Sequence, residues 1–297
     1  MVKVDTAMKY SAAILALSVS LFQPFSAVQA QPQPVRAQLV PEVLSVQPGK
    51  AFCVALRLQM ESGWHTYWIN PGDSGLPTRI QWKLPPGFRA GEIQWPYPET
   101  LLLGLDVNYG YEGEAWLLTE ITPPPALKEG TKVSLMASAK WLACLEECLP
   151  GGADMMVLLP VKNEKPEADP FWSGRFKEAR QRIPEPSSAW RVSAAAEGSQ
   201  VRLFLHPPAG VATEPKDVYF FPEQSELIDY VEPQTLEKAD GEYVLTAQRS
   251  KFWRRWPARV RGVLLSRTGW GETSGKLAIR VDAKLTTANS QIKESKE

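Results

Sequence analysis

Three cysteines and two histidines are all that this chain of 297 residues offers for thiol or imidazole chemistry. Two histidines cannot build a typical zinc cluster, and neither His65 nor His206 stands in a nucleophile signature. An excess of one charge is also lacking. Lys and Arg number 33 and Asp and Glu 33, which excludes the basic footprint of a nucleic-acid binder. Long hydrophobic runs are missing too: the apolar segment Ser11–Phe22 has 12 residues, short of the roughly 20 that a spanning helix needs. Lys3 and Lys9 precede that segment and Val28-Gln29-Ala30 follow it, the order of a secretory signal peptide. We therefore expect residues 1–30 to be an export leader, the mature chain to begin near Gln31 without a transmembrane span, and its compartment to be oxidising.

What the chain has in quantity is punctuation, with 26 Pro and 20 Gly spread between short alternating runs. From Ala51 to Met60, Phe52, Val54, Leu56, Leu58 and Met60 share one face and Cys53, Arg57 and Gln59 the other, the period of a half-buried strand. Lys132 to Trp141 repeats the pattern with Val133, Leu135, Ala137, Ala139 and Trp141. Arg79–Leu84, Ala115–Ile121 and Met155–Val161 are further strand candidates. Asn70-Pro71-Gly72-Asp73, Leu84-Pro85-Pro86-Gly87 and Thr122–Pro125 carry turn chemistry.

The expected fold is all-β. A β-sandwich occupies 31–164, a short helical connector 165–186, and a second, smaller β domain 187–285, with a polar, disordered tail over 286–297. The connector should be capped by Asp169, start at Pro170, bury Phe171, Trp172, Phe176, Ala179 and Ile183, and stop at Pro184. Val201–Leu205, Val218–Phe221, Tyr243–Leu245, Val260–Leu265 and Leu277–Val281 supply strands to the second β domain. The 11 tryptophans are expected mainly in the core and the seam between domains, in preference to an exposed glycan-binding face.

The stretch richest in chemistry runs from Lys140 to Gly152 and holds Cys144 and Cys148 at a hairpin-like turn. Three readings compete for this pair. A structural disulfide would close so short a loop that it restrains little unfolded-state entropy. A redox-active pair needs two thiols close enough for one to resolve a mixed disulfide on the other. A Cu(I) site would add the thioethers of Met155 and Met156, although adjacent residues of a strand point to opposite faces. Glu146 and Glu147 lie between the thiols and disfavour thiolates, which suits a pair that is attacked over one that attacks aggressively. Cys53, on a strand, reads as a buried spectator.

Four sequence blocks carry a resemblance. They are Gly63-Trp64-His65-Thr66-Tyr67-Trp68-Ile69-Asn70-Pro71-Gly72-Asp73-Ser74-Gly75, Ile93-Gln94-Trp95-Pro96, Tyr109-Gly110-Tyr111-Glu112-Gly113, and Trp141-Leu142-Ala143-Cys144 through Cys148-Leu149-Pro150. In this order they resemble the N-terminal domain of the thiol:disulfide interchange protein DsbD, in the variant that heads the ScsB-like (suppressor of copper sensitivity) proteins. Residues 165–284 are similar to the second β region of those proteins.

The resemblance implies an immunoglobulin-like sandwich in the periplasm that relays reducing equivalents through Cys144 and Cys148. Cys148 would form the intermolecular disulfide and Cys144 resolve it, while Tyr109 and Tyr111 would belong to a cap that shields the pair. Implied partners are a thioredoxin-like or membrane electron-donor protein and periplasmic disulfide-containing proteins, with no cofactor and no metal. Two departures stand out: only three residues separate the cysteines, and neither a membrane part nor a thioredoxin-like Cys-x-x-Cys is present. Any thiol-disulfide oxidoreductase activity is thus expected to need a separate donor. The alternatives are a non-enzymatic binding module with a structural disulfide and a copper-handling protein.

Overall fold

A computed structural model describes residues 33–187, 189–210, 214–271 and 275–287. The expected leader and most of the expected tail therefore lie outside the described residues. Ten strands come first: β1 (Val35–Pro41), β2 (Phe52–Met60), β3 (His65–Gly72), β4 (Arg79–Lys83), β5 (Arg89–Gln94), β6 (Glu99–Leu103), β7 (Asp106–Glu112), β8 (Glu114–Thr122), β9 (Lys132–Cys144) and β10 (Cys148–Pro160). They form two antiparallel sheets, ordered β1-β2-β8-β5 and β10-β9-β3-β7-β6, with β4 also paired to β9. This is an immunoglobulin-like sandwich. The helix α1 (Ser173–Arg182) follows. The remaining strands are β11 (Glu185–Pro186), β12 (Arg191–Glu197), β13 (Gln200–His206), β14 (Tyr219–Pro222), β15 (Thr235–Ala239), β16 (Glu242–Gln248), β17 (Arg259–Leu265) and β18 (Ala278–Thr287), joined in the order β14-β17-β18-β12-β13-β16-β15, with β11 also paired to β18. β18 reaches Thr287, so Thr286 and Thr287, expected in the tail, are sheet residues instead.

The alternation in β2 predicted one buried face, and the structure buries both. Phe52, Val54, Leu56 and Leu58 face the space between the sheets, while Cys53 and Ala55 pack with Val40, Trp116 and Leu118 beneath Phe176 and Ala179 of α1. The helical connector is thus a lid on the outer face of the sheet, which periodicity within β2 alone cannot reveal. The helix also begins later than its sequence suggests. Asp169 accepts a hydrogen bond from the Phe171 amide and from the Ser173 amide through its own carbonyl, a turn that leaves residues 170–172 ahead of the first helical residue. Phe171, expected on the buried face, is exposed.

Asn70-Pro71-Gly72 was expected to turn but continues β3 through a register shift between Tyr67 and Gly72. Gly72 has φ +87°, and a Cβ there would lie 2.3 Å from the Val107 carbonyl oxygen, so only glycine lets β3 approach β7 this closely. Likewise β10 starts at Cys148, seven residues before the expected Met155, because Gly151 and Gly152 are strand residues. Gly151 faces Trp141 across the hairpin, and a Cβ on it would meet the indole nitrogen at 2.2 Å. The indole lies across the space that a side chain would fill, which is why glycine is tolerated inside this strand.

The two β regions meet at a buried aromatic seam. Tyr109 of β7 packs edge-on against Tyr219, Phe221 and Tyr230, with ring centroids 6.1, 4.9 and 5.2 Å away, and Trp68 packs against Phe221 at 6.3 Å. Asn70 is fully buried there and its amide donates to the Pro222 carbonyl at 2.8 Å. The expected use of aromatics for core and seam therefore holds, with Trp68, Trp116, Trp141, Trp190 and Trp270 all buried.

Candidate functional site

The β9–β10 hairpin positions the cysteine pair. Its 13 register pairs end with Cys144 directly opposite Cys148, the Cα atoms 4.1 Å apart, and the two sulfurs form a disulfide. Three residues, Leu145 to Glu147, close the turn, and Leu145 lies over Gly63 of the β2–β3 turn. The two sulfurs sit in unequal surroundings. Cys144 is fully buried, whereas Cys148 is exposed along with Leu145, Glu146 and Glu147.

β3 supplies the other wall. His65 sits opposite Cys144 in register, and Tyr67, two residues on, projects from the same face of the strand. The Tyr67 hydroxyl donates to Cys144 Sγ at 2.9 Å and lies 3.9 Å from Cys148 Sγ. His65 Nε2 is 3.3 Å from that hydroxyl, with the two rings edge to face at 5.1 Å. Gly75 (φ +103°) backs the ring so closely that a Cβ there would come within 2.3 Å of it. Burial, with Asp106 adding to it, pushes the Tyr67 phenol above its ordinary range, so the hydroxyl keeps its proton and acts as a donor.

Burial lowers the His65 pKa from the ordinary 6.5, so the folded chain holds the ring neutral. Below about pH 6.5 the unfolded chain binds a proton that the folded chain refuses. Stability is therefore present above that pH and declines as pH falls toward the lower folded value. Denaturant midpoints at about pH 7.5 and about pH 5.5 should show a steeper acid loss in the wild type than in His65→Gln. Equal slopes would mean that the ring ionises in place without cost.

Tyr109 and Tyr111, expected in a shielding cap, are buried side chains of β7. Tyr109 belongs to the seam, with its hydroxyl 2.9 Å from that of Tyr219, and the Tyr111 hydroxyl donates to the Pro96 carbonyl at 2.8 Å. The aromatic hydroxyl that touches the disulfide is Tyr67's, and the sequence reading missed both it and His65. The i, i+2 spacing of a histidine and a tyrosine on one strand was the available signal. What was lacking was the knowledge that β3 pairs beside the end of β9.

The copper grouping does not form. Met155 is seven residues from Cys148 along an extended strand, a span of more than roughly 20 Å. Met156 is exposed, opposite Met136. His206 belongs to a separate cross-strand chain on the second β region, 3.2 Å from Ser193 Oγ and 2.7 Å from Glu242 Oε1. That trio resembles a hydrolytic triad in its contacts alone. It spans three neighbouring strands, with Ser193 on β12, His206 on β13 and Glu242 on β16.

Cys53 is a free, buried thiol whose pKa is pushed up to about 12, chiefly by burial. Iodoacetamide applied to the native protein at neutral pH should leave Cys53 unlabelled, and denaturation should expose it. Rapid native labelling, read by peptide mass mapping, would overturn the spectator assignment.

Residues 29–160 match the family model described as thiol:disulfide interchange protein DsbD, N-terminal. No curated protein sequence matches the chain. Among solved structures, the N-terminal periplasmic domain of ScsB from Proteus mirabilis superposes with a TM-score of 0.61 at 17% identity, over 86% of this chain and 94% of that one. The N-terminal domain of Neisseria meningitidis DsbD in the reduced form aligns over 44% of this chain and 89% of that one, at 16% identity and a TM-score of 0.27. The ScsB likeness spans more of the chain than the family match does, and it is a likeness of fold. The first β region is a DsbD N-terminal-like domain, and the Cys144–Cys148 disulfide closes its β9–β10 hairpin.

Proposed function

We propose that the chain is a periplasmic thiol:disulfide exchange module that passes reducing equivalents between protein partners through Cys144 and Cys148. The observation that carries this reading is the asymmetry of the disulfide, which joins an exposed residue, Cys148, to a fully buried one, Cys144. Exchange needs an accessible sulfur to form the mixed disulfide and a protected neighbour to resolve it, which suits Cys148 and Cys144 in those roles. The DsbD N-terminal-like domain supports the same reading.

The electron donor would be a separate thioredoxin-like or membrane protein, and the acceptors disulfide-containing proteins of the same compartment. Among the described residues no helix is long and apolar enough to cross a membrane. Direct shielding falls to Tyr67 in this reading, because Tyr109 and Tyr111 are engaged elsewhere. The separation of Met155 from the cysteines gives the copper-handling alternative no support.

Redox equilibration tests the proposal. Against glutathione and dithiothreitol buffers, with free thiols trapped and counted on gels, an exchanging pair should titrate above about −300 mV. A potential below that value would make the bond structural and defeat the reading.

A further inference from the structure

Exposure accounts for why Cys148 can be attacked, but not for why its partner sulfur should leave readily. We infer that the Tyr67 hydroxyl, oriented by His65, is a catalytic hydrogen-bond donor that makes Cys144 the leaving sulfur of the exchange. This deepens the exchange reading and rests on it for its biological use, although the chemistry can be measured without a physiological partner.

The argument starts from one proton. A tyrosine hydroxyl has a single hydrogen, and at 2.9 Å it is given to Cys144 Sγ rather than to the sulfur 3.9 Å away. The Tyr67 oxygen is then an acceptor. Neutral His65 satisfies it by carrying its hydrogen on Nε2, 3.3 Å away. The chain therefore runs in one direction, from imidazole to phenol to sulfur. His65 acts on the sulfur through the Tyr67 hydroxyl and is a positioning residue.

In the step itself, a partner thiolate attacks Cys148 Sγ. A sulfur–sulfur bond forms there as the Cys144–Cys148 bond breaks, and the electron pair leaves on Cys144 Sγ. The partner sulfur is oxidised, Cys144 is reduced to a thiolate, and Tyr67 keeps its proton. Water later supplies a proton to Cys144 if the thiolate is not used in resolution. A disulfide sulfur is a weak acceptor and a thiolate a strong one, so the Tyr67 bond strengthens as charge develops. A lower thiol pKa also means a faster leaving group. The charges nearby do not make this choice between sulfurs. Glu146 and Glu147 lie in the turn between them, Lys140 is four residues back along β9, Glu112 faces His65 from β7, and Asp106 acts on Tyr67.

The test uses the full chain and dithiothreitol as reductant. Tyr67→Phe keeps the ring against Gly75 and removes the hydroxyl, the donor to Cys144 and the acceptor from His65. Its disulfide should be reduced about tenfold more slowly, and in reduced protein the Cys144 thiol pKa, from the pH profile of its alkylation, should rise by about one unit. His65→Leu should give a smaller change in the same direction, and His65→Gln, which retains an N–H donor, should restore much of it. Near-ultraviolet circular dichroism checks that each variant is folded. In Tyr67→Phe, a reduction rate within twofold of wild type together with a Cys144 pKa within about 0.3 unit of it would overturn the inference. A potential below about −300 mV together with a slowed Tyr67→Phe would instead defeat the exchange reading and leave the inference standing.

Discussion

Cys144→Ser should accumulate a covalent complex with a partner protein that the wild type shows only in traces. With the resolving thiol gone, a mixed disulfide on Cys148 has no neighbour to break it, and its lifetime is set by outside thiols alone. Non-reducing gels of periplasmic extracts should show the adduct and reducing gels should release it. On the order of tenfold more adduct than in Cys148→Ser is expected, because Cys144 is fully buried and a partner sulfur cannot reach it in line. Equal trapping by the two variants would reject the division of roles, and trapping by neither would return the pair to a structural bond.

Tyr109→Ala should cost about 3–5 kcal/mol of stability, the range for truncating a large aromatic in a packed core. The ring is wholly buried, meets three aromatic rings of the second β region, and its hydroxyl pairs with that of Tyr219. Tyr109→Phe keeps the ring contacts and should cost about 1 kcal/mol, the scale of one hydrogen bond. Chemical denaturation measures both. A cap residue would behave in the opposite way: its truncation would quicken attack on the disulfide and leave the denaturation midpoint nearly unchanged. That result would return Tyr109 to the shield.

Much of the sandwich was legible because its strands obey a period of two, and Val133, Leu135, Ala137, Ala139 and Trp141 all point inward as their alternation requires. The cysteine pair was legible from its spacing. What escaped was decided between strands. Gly151 reads as a breaker until Trp141 is known to lie across it, and Asn70-Pro71-Gly72 reads as a turn until β7 is known to lie alongside. His65 and Tyr67 were visible only as members of a family motif, because their chemistry depends on a register with Cys144 that no local pattern encodes.

The path of β3 bears on what could be inherited or engineered as a unit. The strand gives Tyr67 to the disulfide and, within three residues, gives Trp68 and Asn70 to the second β region. A cut after β10 would leave Trp68 and Tyr109 facing water, and Asn70 without the carbonyl it holds, on the strand whose Tyr67 bonds Cys144. The smallest transplantable piece is therefore larger than the part carrying the cysteines. A lineage that kept only the first sandwich would have had to rewrite that face in more soluble residues, so the side chains at positions 68, 70 and 109 are where the loss of the second half would be recorded.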